Sequence, residues 1–144
     1  MISTRGRYAI RMMIDLAENQ HRGFVPLKDI AERQGISKKY LEQIIPVLNR
    51  AGILSACRGA GGGYKLAKQP AEYTVADILK ATEGHLAPVS CLEGESNTCP
   101  QCPECATLFI WTGLQKIEHD YLSGITLQDI LDRKAASAGN NYSI

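Results

Sequence analysis

Ile53-Leu54-Ser55-Ala56-Cys57-Arg58-Gly59-Ala60-Gly61-Gly62-Gly63-Tyr64-Lys65-Leu66-Ala67 is the stretch that decides the fold. Two short strand-like runs, 53–57 and 64–67, flank an arginine and a glycine-rich turn, the pattern of a β-hairpin. Small residues at the tip let the backbone approach a phosphate or a minor groove closely, and Arg58 or Lys65 supplies positive charge. A nucleotide-phosphate loop is the rival reading, but these glycines precede no helix and follow no βαβ unit. Cys57, on the first strand, reads as a buried small hydrophobe.

Upstream of the hairpin the periodicity is helical. Residues from about 3 to 20 carry apolar positions Tyr8, Ile10, Met12, Met13, Leu16 and Ala17, with Arg5, Arg7 and Arg11 near one side. Gly23 closes that segment, and Pro26 opens a helix over about 27–34 with Leu27, Ile30 and Ala31 as its buried stripe. Gly35 suits a helix-ending φ > 0 position, and Ser37 is a good N-cap for the helix of about 38–50. In that helix Leu41, Ile44, Ile45 and Leu48 follow core spacing, opposite Lys38, Lys39, Glu42, Gln43, Asn49 and Arg50. Pro46 removes the bond to the Glu42 carbonyl and predicts a kink.

Helix pairs with a short glycine turn are common, and an ordinary polar face is the plain reading of this one. A glycine-rich hairpin directly after such a pair makes it a winged helix-turn-helix. Two lysines in a first turn oppose the helix dipole by ~0.3–1 kcal/mol each, a cost that a docked polyanion offsets. Gln43 has the donor and acceptor pair that matches adenine, and Glu42 can accept from cytosine N4. The net charge of +1 conceals an asymmetry: residues 1–68 hold twelve Lys/Arg against five Asp/Glu, the remainder four against ten. Such an asymmetry suits one half to a polyanion and the other not; chance asymmetry on a solvated surface is the plain alternative.

Downstream, Thr74-Val75-Ala76-Asp77 reads as a capping box opening a helix of about 75–84, packed through Ile78, Leu79 and Ala81 and closed by Gly84. A longer helix is expected over about 106–122. Its stripe of Ile110, Leu114, Ile117 and Tyr121, widened by Leu108 and Trp111, is more than the reader can cover. Burial against the same helix of a second subunit is the simplest remedy, and a twofold pair suits palindromic operators; packing on its own domain is the alternative. Thr126 opens one more short helix, and residues from about 135 onward read as a frayed tail.

Between these helices lies the chain's concentration of thiols. Four of the five cysteines, Cys91, Cys99, Cys102 and Cys105, fall in a loop broken by Pro100 and Pro103. With no run of ~18 apolar residues and no apolar leader region, a cytoplasmic location is expected, where clustered cysteines more often bind metal than pair. Thiolates select iron–sulfur clusters, zinc or Cu(I); the spacing suits a cluster and zinc equally, with uncoordinated redox thiols as a third reading. His21 and His119 have no ligand spacing to a partner. No catalytic triad, carboxylate pair or nucleotide motif is present, so no enzyme is expected; a thiol oxidoreductase using Cys99 and Cys102 lacks its βαβ context.

Ser3-Thr4-Arg5-Gly6-Arg7-Tyr8-Ala9, Ser37-Lys38-Lys39-Tyr40-Leu41-Glu42-Gln43 and Arg58-Gly59-Ala60-Gly61-Gly62-Gly63-Tyr64 resemble the Rrf family of bacterial regulators, typified by IscR, NsrR and CymR. The resemblance covers nearly all of residues 1–133. It implies a dimeric winged helix-turn-helix transcription factor, in which members with a cysteine loop here bind a 2Fe–2S or 4Fe–4S cluster. The family's usual loop has three cysteines and a fourth ligand of another type. Leu108 stands at the histidine-type position and cannot ligate, which points to all four cysteines, with His85 as the nearby reserve.

The resulting expectation is a mainly α fold with a small β-hairpin wing, a winged helix-turn-helix domain plus a long dimerisation helix. Its parts are a DNA-binding domain (1–84), a cluster-binding loop (85–105), a dimerisation helix and short C-terminal helix (106–134) and a flexible tail (135–144). Lys38, Lys39 and Arg58 are expected on phosphate, and Tyr40 and Gln43 on bases. Arg5, Arg7, Lys28, Ser37 and Arg50 complete the helical contacts, and Gly59, Gly61, Gly62 and Tyr64 those of the wing. Ile110, Trp111, Leu114, Ile117 and Tyr121 form the expected homodimer interface. The expected cofactor is a 2Fe–2S rather than a 4Fe–4S cluster, sensing cluster status or redox state. Zinc is the alternative, as a staple in a regulator or a protein-interaction adaptor. Double-stranded DNA is the expected partner, and no membrane.

Overall fold

The computed structural model describes residues 1–140. The first helix, α1 (Thr4–Glu18), begins at Ser3, whose hydroxyl oxygen accepts from the Gly6 N–H. Ser3 also donates from its own N–H and hydroxyl to Glu83 Oε1, at 3.1 and 2.7 Å. The start of α1 is thereby tied to the end of α4 (Val75–Glu83). Helices α2 (Leu27–Gln34) and α3 (Lys38–Arg50) flank the turn that Gly35 makes at φ 62°, left-handed as its position requires. Ser37 caps α3 by accepting from the Tyr40 N–H, and α3 continues as one helix through Pro46.

The apolar faces meet in a single core. Met12, Met13 and Leu16 of α1, Ile30 of α2, Leu41, Ile44 and Leu48 of α3 and Ile78 of α4 are all fully buried. A strip of polar groups crosses this packing between α1 and α2. Asp15 is 1% exposed, and its carboxylate accepts from Arg33 Nε and Nη2 at 2.9 and 2.7 Å and from Gln34 Nε2 at 3.0 Å. The bidentate contact with Asp15 raises the Arg33 guanidinium's pKa above its ordinary value.

The hairpin strands β1 (Leu54–Cys57) and β2 (Gly63–Leu66) pair antiparallel, Leu54 with Leu66 at the base and Cys57 with Gly63 towards the tip. Leu54 and Leu66 are buried, whereas Cys57 is exposed, not buried as its sequence context predicts. The register is the reason: only the base of the hairpin reaches the core, and Cys57 lies three residues beyond it.

Helices α5 (Leu108–Ser123) and α6 (Leu127–Asn140) complete the chain. Their junction is stitched to the entrance of α4: Val75 N–H donates to Ile125 O (2.8 Å) and Leu127 N–H to Tyr73 O (2.9 Å). Each side of the stitch carries a reciprocal cap, Thr74 with Asp77 and Thr126 with Asp129. Leu127 enters the core fully buried, so α6 returns to the head. Residues 135–140 continue α6 where a frayed tail is expected, because Ala135, Ala136 and Ala138 carry the highest helix propensity. The rest of that tail, residues 141–144, lies outside the described residues. No helix among the described residues is long and apolar enough to cross a membrane.

Replacing Arg33 by Met leaves the buried Asp15 carboxylate with Gln34 as its side-chain donor. Breaking one partner of such a pair costs about 3 kcal/mol, so denaturant melts should show a clearly lower midpoint, with a smaller loss for Asp15→Asn because Arg33 can still reach water.

Candidate nucleic-acid interface and cysteine loop

Burial of one face of α3 leaves Lys38, Lys39, Glu42, Gln43, Asn49 and Arg50 exposed on the other. Ser37, at its cap, is exposed as well. Tyr40 is half-buried, its ring in T-shaped contact with Tyr8 of α1 at 5.3 Å between centroids, so only part of it is free to face a ligand. Arg5 and Arg7 are exposed at the start of α1, and Lys28 in the first turn of α2.

The wing presents Arg58, Gly59 and Gly61 to solvent, with Gly62 and Tyr64 half-buried behind them. Its placement rests on two anchors. Val25 forms an antiparallel bridge with Tyr64, the two exchanging main-chain bonds of 2.8 and 2.9 Å. A Cβ at Gly63 would stand 2.2 Å from the Val25 carbonyl oxygen, so only glycine permits this approach. At the base, the Tyr73 hydroxyl donates to Ile53 O (2.9 Å) and accepts from the Lys68 N–H (2.7 Å), clasping both ends of the hairpin; burial pushes this phenol's pKa up. Lys65, a candidate for wing charge, has its ammonium 4.7 Å above the Phe24 ring. Tyr73 gave no sequence signal because it belongs to neither a periodic helix nor a strand.

The cysteine loop is built from consecutive turns. Cys102 N–H donates to Cys99 O, Cys105 N–H to Cys102 O and Leu108 N–H to Cys105 O, so three cysteines spaced by three occupy equivalent turn positions. Cys91 lies in a separate single turn, Ser90–Leu92. All four thiols are free and half-buried. Among the described residues no three His, Cys, Asp or Glu side chains converge on a metal-holding point. His85, the reserve ligand, instead faces Glu93 at 3.5 Å.

Both halves of the loop are bonded to α5. Gln115 Nε2 donates to Leu92 O (3.1 Å), next to Cys91. At the other end Trp111 Nε1 donates to the Thr107 hydroxyl (3.3 Å), which lies 3.5 Å from the Cys105 sulfur and lowers that thiol's pKa. With its side chain so engaged, Thr107 makes no capping bond, and α5 begins at Leu108 rather than near Ala106. Asn97 Oδ1 accepts from the Cys99 N–H, while its buried Nδ2 has no partner.

Helix α5 buries none of its residues and packs chiefly on α4. Ile110 and Leu114 are each 45% exposed, Ile117 and Tyr121 68%, and Trp111 is half-buried. Phe109, at 74% exposure, extends this apolar surface. The heptad-like spacing passes over it because the next positions on its own face, Thr112 and Gly113, are not large apolar residues.

Residues 2–133 match the Rrf2 family, described as an iron-dependent transcriptional regulator. The chain belongs to the Rrf2 family. Protein rrf2 of Nitratidesulfovibrio vulgaris is 42% identical over 130 residues, 90% of this chain and 86% of that protein. Among solved structures, CymR, the global cysteine regulator of B. subtilis, matches with a TM-score of 0.75 and 32% identity over 92% of this chain and 97% of its own. IscR of T. potens matches with a TM-score of 0.71 and 38% identity, over 93% and 88%. The fold is the winged helix-turn-helix of these Rrf2 regulators, and the chain is a transcriptional regulator, not an enzyme.

Gly63→Ala should detach the wing from Val25, because the new methyl group meets backbone rather than a movable side chain. A loss of at least ~2 kcal/mol is expected, the scale of an enforced backbone distortion; a thermal melt matching the parent protein would contradict this.

Proposed function

We propose that this chain is a homodimeric, sequence-specific DNA-binding regulator whose cysteine loop holds an iron–sulfur cluster and passes its state to the two reading heads. In this reading residues 1–84 read DNA, 85–105 hold the cluster, and 106–134 form the dimer. The observation that carries it is the union of two features at one place: a turn series stacking three cysteines runs directly into a helix with no buried residue. A contiguous apolar stripe of this kind is characteristic of an interaction surface. Ile110, Trp111, Leu114, Ile117 and Tyr121, with Phe109 beside them, meet their copies in the partner subunit.

On DNA, Lys38, Lys39 and Arg58 neutralise phosphates, with Arg5, Arg7, Lys28 and Arg50 flanking them. Ser37 and the main chain of Gly59, Gly61, Gly62 and Tyr64 come close to the backbone, and Gln43 and the free edge of Tyr40 meet bases. Twofold symmetry suits a palindromic operator with half-sites about 34–36 Å apart, or a multiple of that. A cytoplasmic location accords with free thiols and a DNA target.

Four thiols supply the soft donors that a cluster requires, and the unpartnered side-chain Nδ2 of Asn97 is a donor that a sulfur atom can satisfy. When bound, the cluster supplies an iron- and redox-dependent link among Cys91, Cys99, Cys102 and Cys105. The chain's own residues then do the coupling. Gln115 holds the main chain beside Cys91, Thr107 and Trp111 hold the side of Cys105, and both contacts end on the dimer helix. A coupling of ~1–3 kcal/mol suffices to change operator affinity several-fold or more.

Anaerobically purified protein should be brown and contain iron and sulfide. Serine replacements at 91, 99, 102 and 105 should abolish both and alter promoter occupancy, measured with holo- and apo-protein side by side. Colourless protein with stoichiometric zinc would favour a structural staple instead. Separately, Ile117→Glu should shift sedimentation from dimer to monomer and reduce operator affinity by tenfold or more, since a charge desolvated in an apolar interface costs several kcal/mol.

A further inference from the structure

We infer that Tyr8 and Arg11 of α1 are positioning residues for sequence reading: they set the angle of the recognition helix α3 against α2, and Arg11 is not a phosphate contact. The inference rests on the proposed DNA-reading role of α3 and adds residues to which that role assigns nothing.

Tyr8, Arg11 and Asp15 are spaced i, i+3 and i+7, and so share one face of α1. Together they grip the helix-turn-helix turn on both sides. Ahead of the turn, Asp15 binds the Arg33 guanidinium and the Gln34 amide. Arg11 Nε donates to Gln34 Oε1 (3.4 Å), and Arg11 Nη2 to the Gln34 carbonyl, the last of α2. A cation on that carbonyl satisfies a terminal acceptor and meets the negative end of the helix dipole. Beyond the turn, Tyr8 sets its ring against Tyr40 in the first turn of α3, at 5.3 Å and 76° between planes. Arg11 closes the figure, its guanidinium 5.3 Å from the centroid of the Tyr8 ring.

The turn between these grips cannot hold the angle alone. Gly35 is its pivot, in the left-handed region, and Ile36 is its only buried residue. Core packing on α2 and α4 seats the recognition helix, and the contacts from α1 on both sides of the turn add direction to that packing. Arg11, though exposed and basic, has Nε and Nη2 directed at Gln34 and its flat face at Tyr8. Its charge serves the protein's geometry.

The test uses full-length protein and two probes: the best duplex that the wild type selects from a randomised library, and a random-sequence duplex of equal length. Tyr8→Leu and Arg11→Gln should each weaken binding to the selected duplex about tenfold, the scale of one misaligned base contact. Affinity for the random duplex and the salt dependence of binding should stay unchanged, and Tyr8→Phe should bind as the wild type. If Arg11→Gln weakens both duplexes equally and flattens the salt slope by about one ion, Arg11 is a phosphate contact and the inference fails. It also fails if both variants select and bind as the wild type. If Tyr8→Leu does not fold, Arg11→Gln, a change at an exposed position, decides alone. Should the wild type select no sequence at all, the failure lies with the DNA-reading proposal instead.

Discussion

A buried carboxylate holds the reading head in order. Asp15 sits within the core with three side-chain hydrogen bonds, from Arg33 and Gln34, and without them its desolvation would be uncompensated. Apolar packing among Met12, Ile30, Ile44 and Leu48 supplies most of the cohesion, but it is tolerant of direction. The bidentate pair is not: two parallel N–H···O bonds fix orientation as well as distance. This group constrains how α2 sits on α1, ahead of the turn that leads to α3.

The rest of the molecule separates two kinds of surface that are seldom compatible. Basic and amide side chains collect on the head, where α3 and the wing leave them exposed. Apolar side chains collect on α5, which packs on α4 yet, among the described residues, buries none of its own. The cysteine loop lies between the two and is bonded at each end to α5. Side-chain chemistry thus divides the chain more sharply than composition does, since the net charge of +1 hides both surfaces.

Much of this was legible in the residues. Periodic apolar positions gave α1 to α4 to within a few residues, and Ser37, Gly35 and Thr74 act in the caps and turn their identities imply. What sequence could not supply was long-range. Cys57 looked like core, but burial in a two-stranded hairpin depends on how far the core reaches, which the register decides. Tyr73 and Asp15 carry bonds between segments 18 to 20 residues apart, which no local pattern encodes. The helix expected from about Ala106 begins at Leu108, where the Thr107 hydroxyl is engaged by Trp111 and Cys105 rather than in a capping bond. For the cysteine loop, spacing revealed donor chemistry; it revealed neither the succession of turns nor how Cys91 relates to the other three.

The stitch between Tyr73–Val75 and Ile125–Leu127 has a mechanical meaning. Two main-chain bonds and two reciprocal caps rivet the far end of α5 to the root of α4, whose own far end is fastened to Ser3 of α1. A helix clamped in this way cannot swivel independently of the head. Displacement of α5 therefore reaches α4 and the start of α1 through main-chain bonds and caps, as along the arm of a lever.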